Sequence, residues 1–142
     1  MIRQICNRYE DKNILRIFLN NAGKSLDTFR YYSKRSLGAL ENHIYTILLL
    51  DESTTPVAYG HLDKENDVIW LGICVAELYA NQGHGKLVMK ELLQWSESNN
   101  ICSISLKVDL DNISAIQLYH KFGFKTYYNV DKESCLMRLK LQ

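Results

Sequence analysis

The chain of 142 residues has almost no excess charge, since 17 Lys and Arg side chains are balanced by 16 Asp and Glu side chains and the formal net charge is +1. A nearly neutral protein without runs of like charge lacks the broad positive surface on which non-specific binding to nucleic acids or anionic membranes depends. The composition therefore predicts neither a nucleic-acid partner nor a membrane partner.

Long hydrophobic runs are missing as well. The longest apolar run covers residues 68–76, whereas a membrane-spanning helix needs about 20 residues. The opening sequence MIRQICNRYEDK contains no apolar stretch of the length found in secretory signals. From these two absences we expect a cytoplasmic protein.

The four cysteines form no recognisable motif. Cys6, Cys74, Cys102 and Cys135 lie far apart, with no C-x-x-C pair and no histidine at a zinc-finger interval. Because free cysteine is among the most buried residue types, we expect reduced, buried thiols and no metal site.

The length suits one domain, residues 1–142, with a full hydrophobic core. Hydrophobic periodicity predicts an α/β fold with a mixed (α+β) sheet, in the element order β-αα-βββ-α-β-α-ββ. The predicted strands are 2–7, 44–51, 57–63, 68–76, 101–108, 124–129 and 134–141, and the predicted helices are 11–22, 26–37, 83–98 and 112–122. Short polar connections join the second, third and fourth strands, which predicts an antiparallel meander.

The segment LYANQGHGKLVM places Gly83 and Gly85 between a strand and a helix. Free backbone N–H groups at such a helix start favour an anion, and Lys86 adds positive charge. The Walker and dinucleotide patterns both fail, the latter because Val88 stands where a third glycine is needed. The segment predicts a phosphate site, with a pair of glycines kept for packing as the alternative.

A second pattern lies in VDLDNISAIQLYHKFGF. At 100° per residue, Asn112, Ala115 and Tyr119 share one helical face made of an amide, a small side chain and a phenol. The structural alternative is that Asn112 caps the helix, Ala115 packs closely and Tyr119 forms a hydrogen bond at the surface.

Together, the glycine turn and the later pattern N-x-x-A-x-x-x-Y, which ends in Gly123 and Phe124, resemble the GCN5-related N-acetyltransferase (GNAT) superfamily. The two motifs follow the family's order and interval, and the element order resembles the family's over residues 2–141. The resemblance implies the acyl-CoA N-acyltransferase fold, a mixed sheet whose fourth and fifth strands splay apart. It also implies acetyl-CoA as cosubstrate and a reaction without a metal.

By this resemblance, the pyrophosphate of acetyl-CoA would bind backbone N–H groups at the glycine turn. These groups belong to Gln82, Gly83, His84, Gly85 and Lys86. The pantetheine arm would pair like an extra strand with Ile73, Cys74 and Val75.

The resemblance also implies roles in the chemistry. The main-chain N–H of Ile73 would polarise the acetyl carbonyl, and Asn112 would support the cofactor arm. Tyr119 would be the general acid that protonates the departing thiolate.

Two positions depart from the family's pattern. Many relatives have Arg or Gln where this chain has Ala80, so one side-chain contact to phosphate is missing and binding relies on backbone donors and Lys86. The histone-acetylating branch has a glutamate base at the position aligned with Ile69, so this chain needs another base.

His61 is the candidate base, because an imidazole with an ordinary pKa near 6.5 can accept a proton at neutral pH. The alternative is a histidine satisfied by hydrogen bonds on a sheet face. His43 is the reserve candidate, and His84 and His120 are expected to face solvent.

The resemblance implies that the first two helices and the strand loops line the acceptor site, where this chain offers an aromatic set with one cation. Its members are Phe29, Arg30, Tyr31, Tyr32, Tyr59 and Trp70, with His43 as a further substrate residue. The structural alternative is that these aromatic side chains belong to the core. We therefore expect acetyl transfer to a primary amine of a small molecule, an amino sugar among the candidates, by a monomer or homodimer. The alternatives are acetylation of protein lysines or N-termini and a non-catalytic acyl-CoA-binding module.

Overall fold

A computed structural model describes residues 1–25 and 43–142 of the chain. The described elements are β1 (Ile2–Gln4), α1 (Tyr9–Asn21), β2 (His43–Leu50), β3 (Pro56–Glu65), β4 (Val68–Val75), a short 3-10 helix (Glu77–Tyr79), α2 (His84–Ser98), β5 (Ser103–Asp109), α3 (Ile113–Lys121), β6 (Lys125–Asn129) and β7 (Ser134–Lys140). This order confirms the predicted one, except that the predicted helix 26–37 lies outside the described residues. No described helix is long and apolar enough to cross a membrane.

The strands form a mixed sheet in the order β1-β2-β3-β4-β5-β7-β6. Strands β2, β3 and β4 pair antiparallel in succession, which confirms the predicted meander. Strand β4 lies parallel to β5, and within the described residues their ladder is a single pair, Trp70 with Ser105. The predicted splay between the fourth and fifth strands is therefore confirmed.

Helix α2 packs against one face of the sheet at a glycine. A Cβ on Gly60 would lie 2.4 Å from Val88 Cγ1 and 3.0 Å from Leu92 Cδ1. Because only a residue without a side chain admits such close approach, Gly60 brings α2 tightly onto β3. This contact holds the glycine turn that precedes α2 close to the sheet.

Helix α1 covers part of the opposite face. The ring of Phe18 stacks on that of Tyr59 with their centroids 6.0 Å apart, and both side chains have no solvent exposure. Leu15 and Cys74 belong to the same buried cluster. Tyr59 is therefore a core residue, and its predicted place in the acceptor lining is wrong.

The four cysteines are free thiols, and the expectation of burial holds for two of them. Cys74 and Cys135 are buried within the sheet, whereas Cys6 is half-buried and Cys102 is exposed. Cys102 lies just before β5, in an exposed connection between α2 and that strand.

Candidate active site

The splay between β4 and β5 leaves hydrogen-bonding groups of β4 without a strand partner. The N–H of Ala76 donates to the carbonyl of Val57 at 2.9 Å, so every second N–H of β4, counting back from Ala76, points toward β3. The N–H and carbonyl groups of Ile73 and Val75 consequently point toward the gap. Those of Cys74 point toward β3, so its main chain is not free to bind a further strand.

A cleft of about 1130 Å³ opens at this gap. Strands β3, β4 and β5 and helices α2 and α3 contribute to its walls. Residues that line it and were predicted from the sequence are His61, Trp70, Ile73, Cys74, Val75, Gly83, His84, Gly85, Lys86, Asn112 and Tyr119. The topology thus brings both sequence motifs to one cavity.

The start of α2 faces this cleft with its backbone donors uncovered. Gly83, the N-cap, has a left-handed conformation (φ 85°) and provides no side-chain cap. The first helical bond runs from Leu87 N–H to the carbonyl of Gly83 at 3.2 Å, so the preceding N–H groups have no intrahelical acceptor. A Cβ built on Gly83 would meet nothing within 4 Å, which leaves an open cradle suited to an anion such as phosphate.

Gly85 serves a different purpose from Gly83. A Cβ there would lie 3.3 Å from Leu118 Cδ2 and 3.6 Å from Val75 Cγ2. The packing alternative therefore applies to Gly85, which lets α2 approach α3 and β4, and the open cradle belongs to Gly83.

The two sides of the cleft carry side chains of opposite charge. Lysines line it on the side formed by α2, α3 and β5, namely Lys86, Lys90, Lys107 and Lys121. Asp63 and Glu65 of β3 line the other side. Such an arrangement attracts an anionic ligand to one side of the cleft and a cationic ligand to the other.

Tyr119 and Cys74 meet at the base of the cleft. Tyr119 is only 7% exposed, and burial raises the pKa of its phenol, with Cys74 nearby raising that pKa further. Burial also raises the pKa of the Cys74 thiol to about 12. Both groups are consequently protonated at neutral pH, and Cys74 is a poor nucleophile because the reactive species is the thiolate.

Asn112 lines the cleft and also begins α3. Its Oδ1 accepts a hydrogen bond from the N–H of Ala115 at 3.4 Å. The capping alternative is therefore correct for Asn112, and Tyr119 is buried instead of lying at the surface.

His61 and Asp63 lie on one face of β3, beyond the part that α1 covers. They are 1% and 2% exposed, and both line the cleft. The residue paired with His61 on β4 is Gly72, so no side chain of β4 stands beside the imidazole. Sequence analysis missed Asp63 as a site residue, although its spacing from His61 on a predicted strand already placed the two on one face.

His43 does not line the main cleft. It lines a smaller cavity of about 310 Å³ near the end of β1, and its ring stacks on that of His61 with centroids 4.4 Å apart and an interplanar angle of 9°. Its Nδ1 lies 2.7 Å from Thr46 Oγ1, within a hydrogen bond.

The remaining predicted residues lie elsewhere. Gln82 is exposed and does not line the cleft, while Arg30, Tyr31 and Tyr32, together with Phe29, lie outside the described residues. His120 is exposed as expected, whereas His84 is half-buried beside the ring of Tyr79 and does not simply face solvent. Within residues 1–25 and 43–142, no group of three His, Cys, Asp or Glu side chains is arranged to hold a metal ion.

Solved structures share this architecture. The ribosomal-protein-S18-alanine N-acetyltransferase of Escherichia coli superposes with a TM-score of 0.71 at 20% identity, covering 100% of this chain and 95% of that one. The GNAT domain of S. lividans PAT superposes with a TM-score of 0.81 at 10% identity, covering 99% and 89%. At these identities, the similarity establishes the fold alone.

Sequence relatives are found in Bacillus subtilis (strain 168). The uncharacterized N-acetyltransferase YobR is 32% identical over 96 residues, which are 68% of this chain and 32% of that protein. A spermine/spermidine N(1)-acetyltransferase is 37% identical over 65 residues, 44% of this chain and 43% of that protein. This chain thus matches less than half the length of either. The model of the Acetyltransferase (GNAT) family matches residues 3–124, and the chain belongs to that family.

Proposed function

We propose that this protein is an acetyl-CoA-dependent N-acetyltransferase that transfers the acetyl group directly to a primary amine of a small molecule. The observation that carries the proposal is the juxtaposition, in one cleft, of the open edge of β4, the uncapped start of α2 and the buried phenol of Tyr119. A cosubstrate with a polyamide arm and phosphates at one end matches that set of groups.

The chain has suitable groups for each part of acetyl-CoA. The backbone N–H groups of Gly83, His84, Gly85 and Lys86 would hold the pyrophosphate at the open cradle, and Lys86 would supply charge. The arm pairs with the outward-pointing groups of Ile73 and Val75, as an added strand does. Asn112 lines the cleft beside it. In these roles the missing side chain at Ala80 removes one contact, and the backbone supplies the rest.

Bound acetyl-CoA supplies a thioester carbonyl that a neutral amine can attack. The N–H of Ile73 points into the gap and stabilises negative charge on the carbonyl oxygen during attack. Tyr119 keeps its proton at neutral pH because burial raises its pKa, so its hydroxyl is a hydrogen-bond and proton donor for the leaving sulfur. Cys74 forms no acetyl intermediate, since its thiol stays protonated.

His61 takes the proton of the attacking amine. An alkyl ammonium has a reference pKa near 10.4, so a base must remove its proton at neutral pH. His61 lies in the cleft wall beside Asp63, which favours a positively charged acceptor on arrival.

The acidic side of the cleft bears on the choice of acceptor. Asp63 and Glu65 favour amines that carry positive charge, such as polyamines. The predicted amino-sugar acceptor drew on an aromatic lining, of whose described members Tyr59 is a core residue and Trp70 lines the cleft. We therefore rank cationic small amines ahead of amino sugars.

The first test is thermal unfolding with acetyl-CoA at about 100 times its dissociation constant, where linkage predicts roughly 2.7 kcal/mol of stabilisation and a shift of several degrees. A panel of polyamines, amino sugars, amino acids and peptides then follows, with release of free thiol as the readout. Because Cys102 is an exposed free thiol and would add to the background of a thiol readout, the assay uses a Cys102→Ala background.

The two steps separate the competing functions. Stabilisation with thiol release from a small amine supports the proposal, and release with peptides alone would replace it by protein acetylation. Stabilisation without release from any amine would indicate a binding module. A folded protein that acetyl-CoA does not stabilise would refute the proposal at its first step.

A further inference from the structure

The stacked imidazoles of His43 and His61 connect the main cleft to the smaller cavity. His61 belongs to the cleft wall and His43 to the second cavity, and their rings lie nearly parallel with centroids 4.4 Å apart. His43 pairs with Asp63 across the β2–β3 ladder, beside a register shift between His43 and Tyr45. This irregularity places the two rings on top of one another.

His43 is itself held in position. Its Nδ1 and Thr46 Oγ1 are 2.7 Å apart, and Thr46 is both buried and the cross-strand partner of His61. Three residues on one face of two adjacent strands therefore form a connected set, in which Thr46 fixes the ring of His43 and that ring forms a platform for His61.

We propose that His43 is a positioning residue for His61 and that only one of the two imidazoles is protonated around neutral pH. The inference rests on the proposed function, in which His61 is the base. Two imidazolium ions stacked at this distance repel each other, so protonation of one ring disfavours protonation of the other. A proton on His43, beside Thr46, leaves His61 neutral and able to accept the proton of the amine.

Among the described residues, charged and titratable groups face the pair from three neighbouring segments. On β3 they are Asp63, Glu65 two positions further along the same face, and the phenol of Tyr59, whose ring centroid lies 5.5 Å from that of His61. Beyond β1, Cys6 lines the smaller cavity together with His43. On β4 the residues facing the row are Trp70, Gly72 and Cys74, and burial raises the pKa of that thiol to about 12. The carboxylates of Asp63 and Glu65 favour a first proton on the pair, and the imidazole that carries it disfavours a second proton on the other ring.

The decisive experiment is a titration by NMR of the resting protein, without acetyl-CoA or amine. The chain has four histidines, so single variants at His43, His61 and His120 assign the ring signals. In His43→Phe, which keeps a flat ring and removes the second titrating group, we expect the apparent pKa of His61 to rise by about one unit. The acidic limb of the pH profile of kcat/KM, which reports the free enzyme, should move in the same direction.

Variants of Thr46 supply a test that leaves both imidazoles in place. We expect Thr46→Val to shift the titration of the pair less than His43→Phe does, and Thr46→Ser, which keeps the hydroxyl, to restore the wild-type curve. An unchanged His61 titration in a folded His43→Phe protein would overturn the coupling. A shifted titration with an unmoved rate profile would overturn the positioning role. Because the titration needs no turnover, it decides the coupling even if no amine is acetylated.

Discussion

The two sides of the cleft present different kinds of chemical group. The side formed by β4, α2 and α3 offers mainly backbone groups, namely the outward N–H of Ile73 and the free donors that follow Gly83. The β3 side offers side chains, His61 and Asp63, which are buried and held by their strand neighbours. Backbone groups can bind a ligand whatever the side chains of the turn are, whereas a site made of side chains changes with every substitution. The comparison predicts that variants of the two sides separate into distinct kinetic classes.

The largest expected effect on turnover comes from a substitution on the β3 side of the cleft. We expect His61→Gln to lower kcat by about 10²- to 10³-fold near neutral pH, because the base is removed, while stabilisation by acetyl-CoA is kept. The deficit should shrink toward about pH 10, where more of the amine is already neutral. Measurement of kcat across pH tests this, with His120→Gln, an exposed histidine, as the control. A deficit that is constant at all pH values would contradict the assignment.

Tyr119→Phe should lower kcat by about 100-fold and change the KM for acetyl-CoA by less than about 3-fold, since the variant loses only the donor hydroxyl. Burial raises the pKa of Tyr119 above its ordinary value of 10, so titration of this phenol should cause no loss of wild-type activity below about pH 10. Steady-state kinetics with varied acetyl-CoA provide the measurement. Wild-type turnover in the variant would remove Tyr119 from the mechanism.

Gly83→Ala should weaken acetyl-CoA binding by about 10-fold, because a methyl group fills the open cradle and strains a left-handed residue. Gly123→Ala is the matched control, since Gly123 also has a positive φ (96°) and does not line the cleft. Both variants should unfold at lower temperature, and only Gly83→Ala should lose ligand stabilisation. Calorimetric titration with acetyl-CoA distinguishes them. Equal loss of affinity in both would mean that the effect is one of stability.

A gain of function sharpens the comparison. Ala80 lines the cleft near the start of α2, and Ala80→Arg adds a charged donor on the cosubstrate side. We expect acetyl-CoA to bind about 5-fold more tightly, with a steeper dependence on salt, and the acceptor KM to stay unchanged. Ala80→Gln should give a smaller gain without the added salt dependence. Tighter binding of acceptor instead would place Ala80 on the wrong side of the cleft.

The smallest effect is expected at Cys74. Although this thiol lines the cleft beside Tyr119, its pKa of about 12 keeps it protonated, so Cys74→Ala should change kcat by less than about 3-fold. Removing its buried sulfur should cost about 1 kcal/mol of stability. Mass spectrometry of the wild-type protein during turnover should find no acetylated cysteine. An acetyl group on Cys74 would contradict direct transfer.

Sequence reasoning was most effective for the glycine turn and for α3, whose predicted residues line the cleft. Gly83, Gly85, Asn112 and Tyr119 belong to local patterns, and local patterns specify turns, caps and helix faces without knowledge of the rest of the fold. The same reasoning could not separate the cradle at Gly83 from the packing at Gly85, because that distinction depends on what lies opposite each Cα.

The arrangement of residues on the β3 side of the cleft depends on pairing between strands, which a single sequence does not display. Alternation along β3 placed Tyr59, His61 and Asp63 on one face, but only the fold shows that α1 covers Tyr59 and stops short of the other two. The stack of His43 on His61 arises beside a register shift in the β2–β3 ladder, and no residue type in the sequence indicates that shift.

The single bridge between Trp70 and Ser105 has a mechanical consequence. It divides the hydrogen bonds of the sheet into two complete sets. One set joins β1, β2, β3 and β4, the other joins β5, β7 and β6, and in the described residues this one bridge links the two. Both sets of strands contribute to one hydrophobic core, so packing holds the gap at its width where hydrogen bonds across it are missing. A guest strand that enters the gap fills a vacancy and disrupts no existing pair, so docking spends little free energy on rearranging the protein.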